Sequence, residues 1–90
     1  MTPEAAEILA LEALGWLAGD ADAFARFLAL SGVDAAGLRE AAGSPETGAA
    51  VLDFLLSDEA LLLRFCGDTD ADPAAVPRAR YLLAGGPPDA

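Results

Sequence analysis

Ninety residues carry fifteen acids against five arginines, with no lysine or histidine and a formal net charge of −10. A phosphate backbone or an anionic membrane surface repels such a chain, and the imidazole that usually serves as a general base near neutral pH is missing. The composition is 54% hydrophobic and rich in Ala and Leu, with Val and Ile scarce, which favours helix over sheet.

Glu12, Asp20, Arg26, Asp53, Asp58 and Arg64 interrupt every apolar run. Each run therefore falls short of the roughly 20 residues a membrane span needs. The N-terminus opens on a helix start with no basic segment before it, so no signal peptide is expected. A single cysteine allows no internal disulfide, which fits a cytoplasmic setting.

Six helices are predicted, at residues 3–18, 21–31, 35–42, 45–56, 58–66 and 74–84. Thr2-Pro3-Glu4 opens the first and Ser44-Pro45-Glu46 the fourth. Each offers a capping hydroxyl, a proline at the first helical position and an acid against the positive end of the dipole. Asp20, Asp34, Asp58 and Asp72 are the expected caps of the other four. Gly19, Gly32, Gly43 and Gly67 stand where helices should stop, because glycine enters the left-handed conformation without a Cβ clash. Pro77 lacks the N–H that would bond back to Pro73, so the regular part of the last helix is expected only from Pro77. Gly85-Gly86-Pro87-Pro88 should end it, leaving 85–90 as a disordered tail.

One phrase occurs twice. LGWLAGDADAFARF (14–27) and LDFLLSDEALLLRF (52–65) align at an offset of 38 residues. Leu14 then matches Leu52, Trp16 matches Phe54, Asp20 matches Asp58, Arg26 matches Arg64 and Phe27 matches Phe65. The helix starts at Thr2 and Ser44 match at 42 instead, a difference of about one helical turn. The chain therefore reads as a compact all-α bundle of two pseudo-symmetric three-helix units, 3–42 and 45–84, within one domain. Residues 60–66, ALLLRFC, are apolar on nearly all sides, so their helix is expected at the centre. Asp22 and Arg26 are spaced for an i,i+4 ion pair.

Few residues suggest chemistry. Asp68, Asp70 and Asp72 resemble the start of a calcium loop, but the sixth position is Pro73 where glycine is needed, and the twelfth is Ala79 where a glutamate is needed. The stretch reads as a solvated linker, and no metal or other cofactor is expected. Cys66 lies near a negative helix end, which disfavours thiolate, and reads as a packed thiol. Arg26 and Arg64 hold matching places, either as dipole and carboxylate partners or as a symmetric anion site between the halves. Arg78 and Arg80 are expected to offset the acidic linker. Ser31, Ser44 and Ser57 belong to helix ends and have no base to activate them. One surface invites a partner. Glu4, Glu7, Ile8, Leu11 and Glu12 share about 140° of the first helix, whereas the offset positions of Ile8 and Leu11 are Glu46 and Ala49. Either the last helix covers this strip, or a basic amphipathic segment can dock there.

The stretches EALGWLAGD, RFLALSG, VLDFLLSDEALLLRFC and DP..VPRAR resemble a family of short alphaproteobacterial proteins known as a domain of unknown function. The resemblance spans most of 6–83 and is most specific from Phe54 to Cys66. Members tend to carry a Leu-Pro-Gly-Gly turn where this chain has Leu83-Ala84-Gly85-Gly86. The family implies a bacterial cytoplasmic setting and no activity, cofactor or catalytic residue. The leading expectation is a non-enzymatic protein-interaction or regulatory module with a basic partner. A special case is a decoy whose carboxylates imitate phosphates. The competing expectation is a small-ligand binder or enzyme around Arg26 and Arg64, with a polar cavity there. A third is a homodimer through the first helix.

Overall fold

In a computed structural model the described residues, 1–83, form α1 (Pro3–Ala18), α2 (Ala21–Ser31), α3 (Ala35–Ala41), α4 (Pro45–Leu56), α5 (Glu59–Thr69) and α6 (Ala75–Leu83). No strand occurs among them. The tail at 85–90 and the last helix beyond 83 lie outside the described residues.

Five helices start on the expected cap. Thr2 Oγ1 accepts from the Ala5 N–H at 3.1 Å, Asp20 Oδ1 from Ala23 at 3.1 Å, Asp34 Oδ1 from Gly37 at 2.6 Å, Ser44 Oγ from Thr47 at 3.1 Å and Asp58 Oδ1 from Leu61 at 3.1 Å. Each bond satisfies an N–H with no partner inside the helix. The sixth start differs. Asp72 Oδ1 accepts from Ala74 N–H at 3.0 Å, closing a turn ahead of the helix. α6 then begins at Ala75, two residues before Pro77. Pro77 falls in the first turn, where a missing N–H forfeits no helical bond.

Helix ends followed the sequence less closely. Gly32 does take the left-handed conformation, with φ 73°. Gly19 stays right-handed, at φ −82°. α5 runs through Gly67 and ends at Asp70, which itself adopts φ 64°, a conformation aspartate tolerates better than most residues. The extra turn gains two anchors. Thr69 Oγ1 donates to Phe65 O at 2.7 Å, and Asp68 receives the Trp16 indole N–H at 2.9 Å. The first part of the acidic stretch is thus helix, not linker.

The centre is also not where residue counting placed it. α1, α4 and α6 pack mutually, while α5 lies to one side against α4. α5 turns Leu61, Phe65 and Cys66 inward and leaves Leu63 exposed. α6 reaches the centre with only Val76 and Ala79 fully buried, because small side chains let its neighbours come close. α1 turns Ala6, Ala10, Ala13 and Leu17 inward. At Gly48 of α4, an added Cβ would lie 3.0 Å from Leu83 Cδ1 and 3.1 Å from Ala10 Cβ. Leu17, Val51, Leu52, Leu55, Phe65 and Val76 fill the remaining interior. α3, which corresponds to α6 by sequence, is placed differently. It flanks α1 and α2 at the rim and buries Leu38.

Gly48→Val should lower stability by about 1–3 kcal/mol, since the half-buried Leu83 side chain can move aside but Ala10 Cβ is fixed to the α1 backbone. Gly67→Ala, where an added Cβ meets nothing, should raise it by about 0.5–1 kcal/mol through helix propensity. Urea midpoints at constant m-value read both.

Candidate functional site

Asp20 opens α2, which carries Arg26 and Phe27. Asp58 opens α5, which carries Arg64 and Phe65. The two arginines cross over. Arg64 Nη2 donates to Asp20 Oδ2 at 2.8 Å, and Arg26 Nη1 lies 3.5 Å from Asp58 Oδ2. Arg26 therefore leaves Asp22, its i,i+4 neighbour, for a cap carboxylate on another helix. Each guanidinium also covers an aromatic ring, Arg64 over Trp16 and Arg26 over Phe54, both 5.6 Å from the centroid. Those rings meet the opposite phenylalanines edge-on. Trp16 and Phe65 are 5.6 Å apart at 69°, and Phe54 and Phe27 are 5.5 Å apart at 67°. Every one of these contacts has a counterpart in which both residues are shifted by 38.

The reciprocity stops at the clefts beside the rings. One, of about 530 Å³, is lined by Trp16, Asp20, Arg64 and Asp68, with Gly15, Gly19 and Ala21. The other, of about 280 Å³, contains Phe27, Leu30, Ala50, Asp53 and Phe54, with two serines. The first is polar because Asp20, Arg64 and Asp68 line it, the last held by the Trp16 indole N–H. In the second, Phe54 has no N–H, and Leu30 holds the place that corresponds to Asp68. Arg64 lines the first cleft, and Arg26 is part of neither lining. The structure thus brings the two arginines to separate ion pairs and places both in no shared cavity among these clefts.

Asp20 accepts from Ala23 N–H and from Arg64 with different oxygens. The Ala23 N–H, and next the Arg64 guanidinium, hold its carboxyl below the usual carboxylate range. Burial pushes the Cys66 thiol up, and Asp72 adds to the effect, so this sulfur is held as thiol. Arg80 does not offset the acidic stretch before it. Its Nε donates to Asp53 Oδ1 of α4 at 2.6 Å, which raises its own pKa further. Asp68, Asp70 and Asp72 are spread over an indole hydrogen bond, a helix end and a turn.

Among the described residues, nothing covers the strip on α1. α6 packs on α1, whose buried residues are its three alanines and Leu17. Glu4, Glu7, Ile8, Leu11 and Glu12 all remain exposed, Ile8 at 66% and Leu11 at 48%. None of the three glutamates forms an ion pair among the described residues. Along the first three turns of α1 the inward positions are alanines, where α4 and α6 approach closely, and Ile8 and Leu11 point outward. Sequence reading found this strip by helical spacing and by contrast with Glu46 and Ala49 at the 38-residue offset. It missed the crossing of Arg26 and Arg64, since nothing local reports which distant carboxylate an arginine will meet. No helix among the described residues is long and apolar enough to cross a membrane.

Two outcomes test these contacts. A depressed folded-state pKa stabilises above the unfolded value, near 3.9 for aspartate, and that stabilisation is lost as pH falls through the lower folded value. The stability difference between the native chain and Asp20→Asn should therefore be constant at neutral pH and shrink below about pH 4, read by thermal unfolding across pH. Arg26→Ala and Arg64→Ala should each lose about 0.5–1 kcal/mol of ring contact. Because each guanidinium already has its carboxylate, millimolar inorganic phosphate should leave the native Tm unchanged.

Residues 3–86 match the family described as "Protein of unknown function (DUF3572)". No curated protein and no solved structure shows significant similarity to the chain.

Proposed function

We propose that this chain, which belongs to the DUF3572 family, is a non-enzymatic interaction module of the cytoplasm whose partner is a basic amphipathic segment of another protein. The observation that carries this reading is the exposure of Ile8 and Leu11 among three glutamates without ion pairs. Apolar burial at Ile8 and Leu11 would supply affinity, and the glutamates, within a chain of net charge −10, would speed encounter with a cationic surface. A second copy docked on the same strip would set glutamate against glutamate, which disfavours the homodimer. The decoy reading has less support, because the acids of this surface are interleaved with aliphatic side chains.

We also propose that the two halves descend from one duplicated unit. The exchanged Arg–Asp, Arg–ring and ring–ring contacts support it. On that view the strip is an acquisition of the first copy, since Glu46 and Ala49 hold the matching places in the second. A small-ligand site has one feature in its favour, the polar cleft of about 530 Å³ beside Arg64. Arg64 already pairs with Asp20, and Asp68 already accepts from the Trp16 indole, which leaves less for a ligand to bind.

Glu4→Lys combined with Glu7→Lys should reduce capture of the native partner severalfold at low salt and lower Tm only slightly, through the dipole interaction lost at Glu4. Capture by the native chain should itself weaken as salt is raised. Equal capture by the variant and the native chain would exclude this surface.

A further inference from the structure

We infer that the groove between α1 and α3 is the seat for one bulky apolar side chain of the partner helix. This deepens the reading of α1 as the docking surface and rests on it. The groove encloses about 440 Å³ between Leu11, Leu14 and Ala18 of α1, Phe24 of α2, and Leu38 and Ala42 of α3. It continues the exposed strip without a break. Leu11 belongs to both, and Ile8, Leu11, Gly15 and Ala18 follow one another at helical spacing along one side of α1. An added Cβ at Gly15 meets nothing within 4 Å, so the groove is open at the point where a side chain is missing.

The other half shows that this opening is not imposed by the helices. The positions matching Leu14 and Leu38 are Leu52 and Val76, and both are fully buried because α6 packs tightly on α4. There Arg80 of α6 also binds Asp53, the residue that matches Gly15. α3 has seven residues and stands away from α1, so the matching space stays empty.

Charge selects the occupant. Glu4, Glu7 and Glu12 lie exposed and unpaired along the same helix as the groove lining. A helix with cationic flanks and an apolar face complements both features, whereas a second copy of this acidic chain does not. Arg39 is the one cation in the groove lining. The partner's basic residues therefore belong over the N-terminal half of α1, and the negative C-terminal end of its helix belongs near Arg39.

The test uses a labelled synthetic helix of about 16 residues, four to five turns. It has lysine flanks, an apolar face and a central phenylalanine, and a second peptide replaces that phenylalanine with alanine. Fluorescence anisotropy on the full chain should show the phenylalanine peptide binding about tenfold more tightly, a difference of about 1.4 kcal/mol. Ala18→Trp should abolish that preference by filling the groove, and Glu4→Lys with Glu7→Lys should weaken both peptides alike. Methyl NMR of the native chain reads the groove without any substitution. Leu14 and Leu38 should shift with the phenylalanine peptide and much less with the alanine one. If the glutamate variant weakens binding while Ala18→Trp keeps the preference, or Leu14 and Leu38 do not respond, the groove is not the seat and the strip still stands. If neither peptide binds the native chain, or the glutamate variant binds as well as the native chain, the docking surface itself is wrong.

Discussion

Everything in this fold follows from how closely three helices approach. Gly48 of α4 sits against Ala10 of α1 and Leu83 of α6, with no space for another carbon. Contact at this range requires small residues on the inward faces, and Ala6, Ala10, Ala13 and Ala79 provide them. Alanine buries little area, so most of the apolar burial must come from elsewhere. It comes from the ends of α1 and α4, where Leu17, Leu52 and Leu55 are fully buried, and from the flanking helices, which bring Phe27 and Phe65 in from the sides. The fully buried residues are aliphatic or aromatic, and no buried side-chain polar atom among the described residues lacks a hydrogen-bond partner. The polar interactions therefore act at the boundary, where they orient helices without the desolvation cost of a buried charge.

At that boundary α2 and α5 are held by the same device used in opposite directions. A cap aspartate satisfies its own helix with one oxygen and faces an arginine from the other helix with the second. The arginine lies over an aromatic ring, whose edge contact returns to the phenylalanine that follows the same arginine. Each element would be weak alone, because the guanidiniums are more than half exposed. Coupled to a cap and a ring, each also fixes the angle at which its helix leaves the core. Arg80 ties α6 to α4 in a similar way through Asp53. Three of the five arginines thus hold the chain together.

Helix starts were legible because a cap is a local bargain among four residues, and Thr2, Asp20, Asp34, Ser44 and Asp58 meet its terms without help from the rest of the fold. Ends were less legible. Gly67 has the composition of a stop, yet a tertiary anchor, the Trp16 indole on Asp68, and a local bond from Thr69 back to Phe65 carry α5 past it. The centre was misread for a related reason. Apolar density along ALLLRFC suggested a central helix, but close packing rewards small side chains, so α6 holds the centre with a valine and an alanine. The Arg26–Asp58 and Arg64–Asp20 pairs join residues separated by 32 and 44 positions, beyond any periodicity argument. The strip was legible because helical spacing alone puts Glu4, Glu7, Ile8, Leu11 and Glu12 on one side of the first helix.

Local and tertiary preferences agree through most of this molecule, and they conflict on α1. There two large apolar residues, Ile8 and Leu11, face outward while three alanines face inward. Glu4 and Glu7 are like charges one turn apart, which weakens a helix slightly. Glu4 is compensated by the positive end of the dipole, and Glu12, three turns in, is not. Ile8, at 66% exposed, gives the isolated fold little: a polar residue there would suit water better. Natural sequences accept such conflicts mainly where a surface has work to do. The asymmetry between the halves points to the same place, because α4, built on the same plan, carries Glu46 and Ala49 where α1 carries the aliphatic pair.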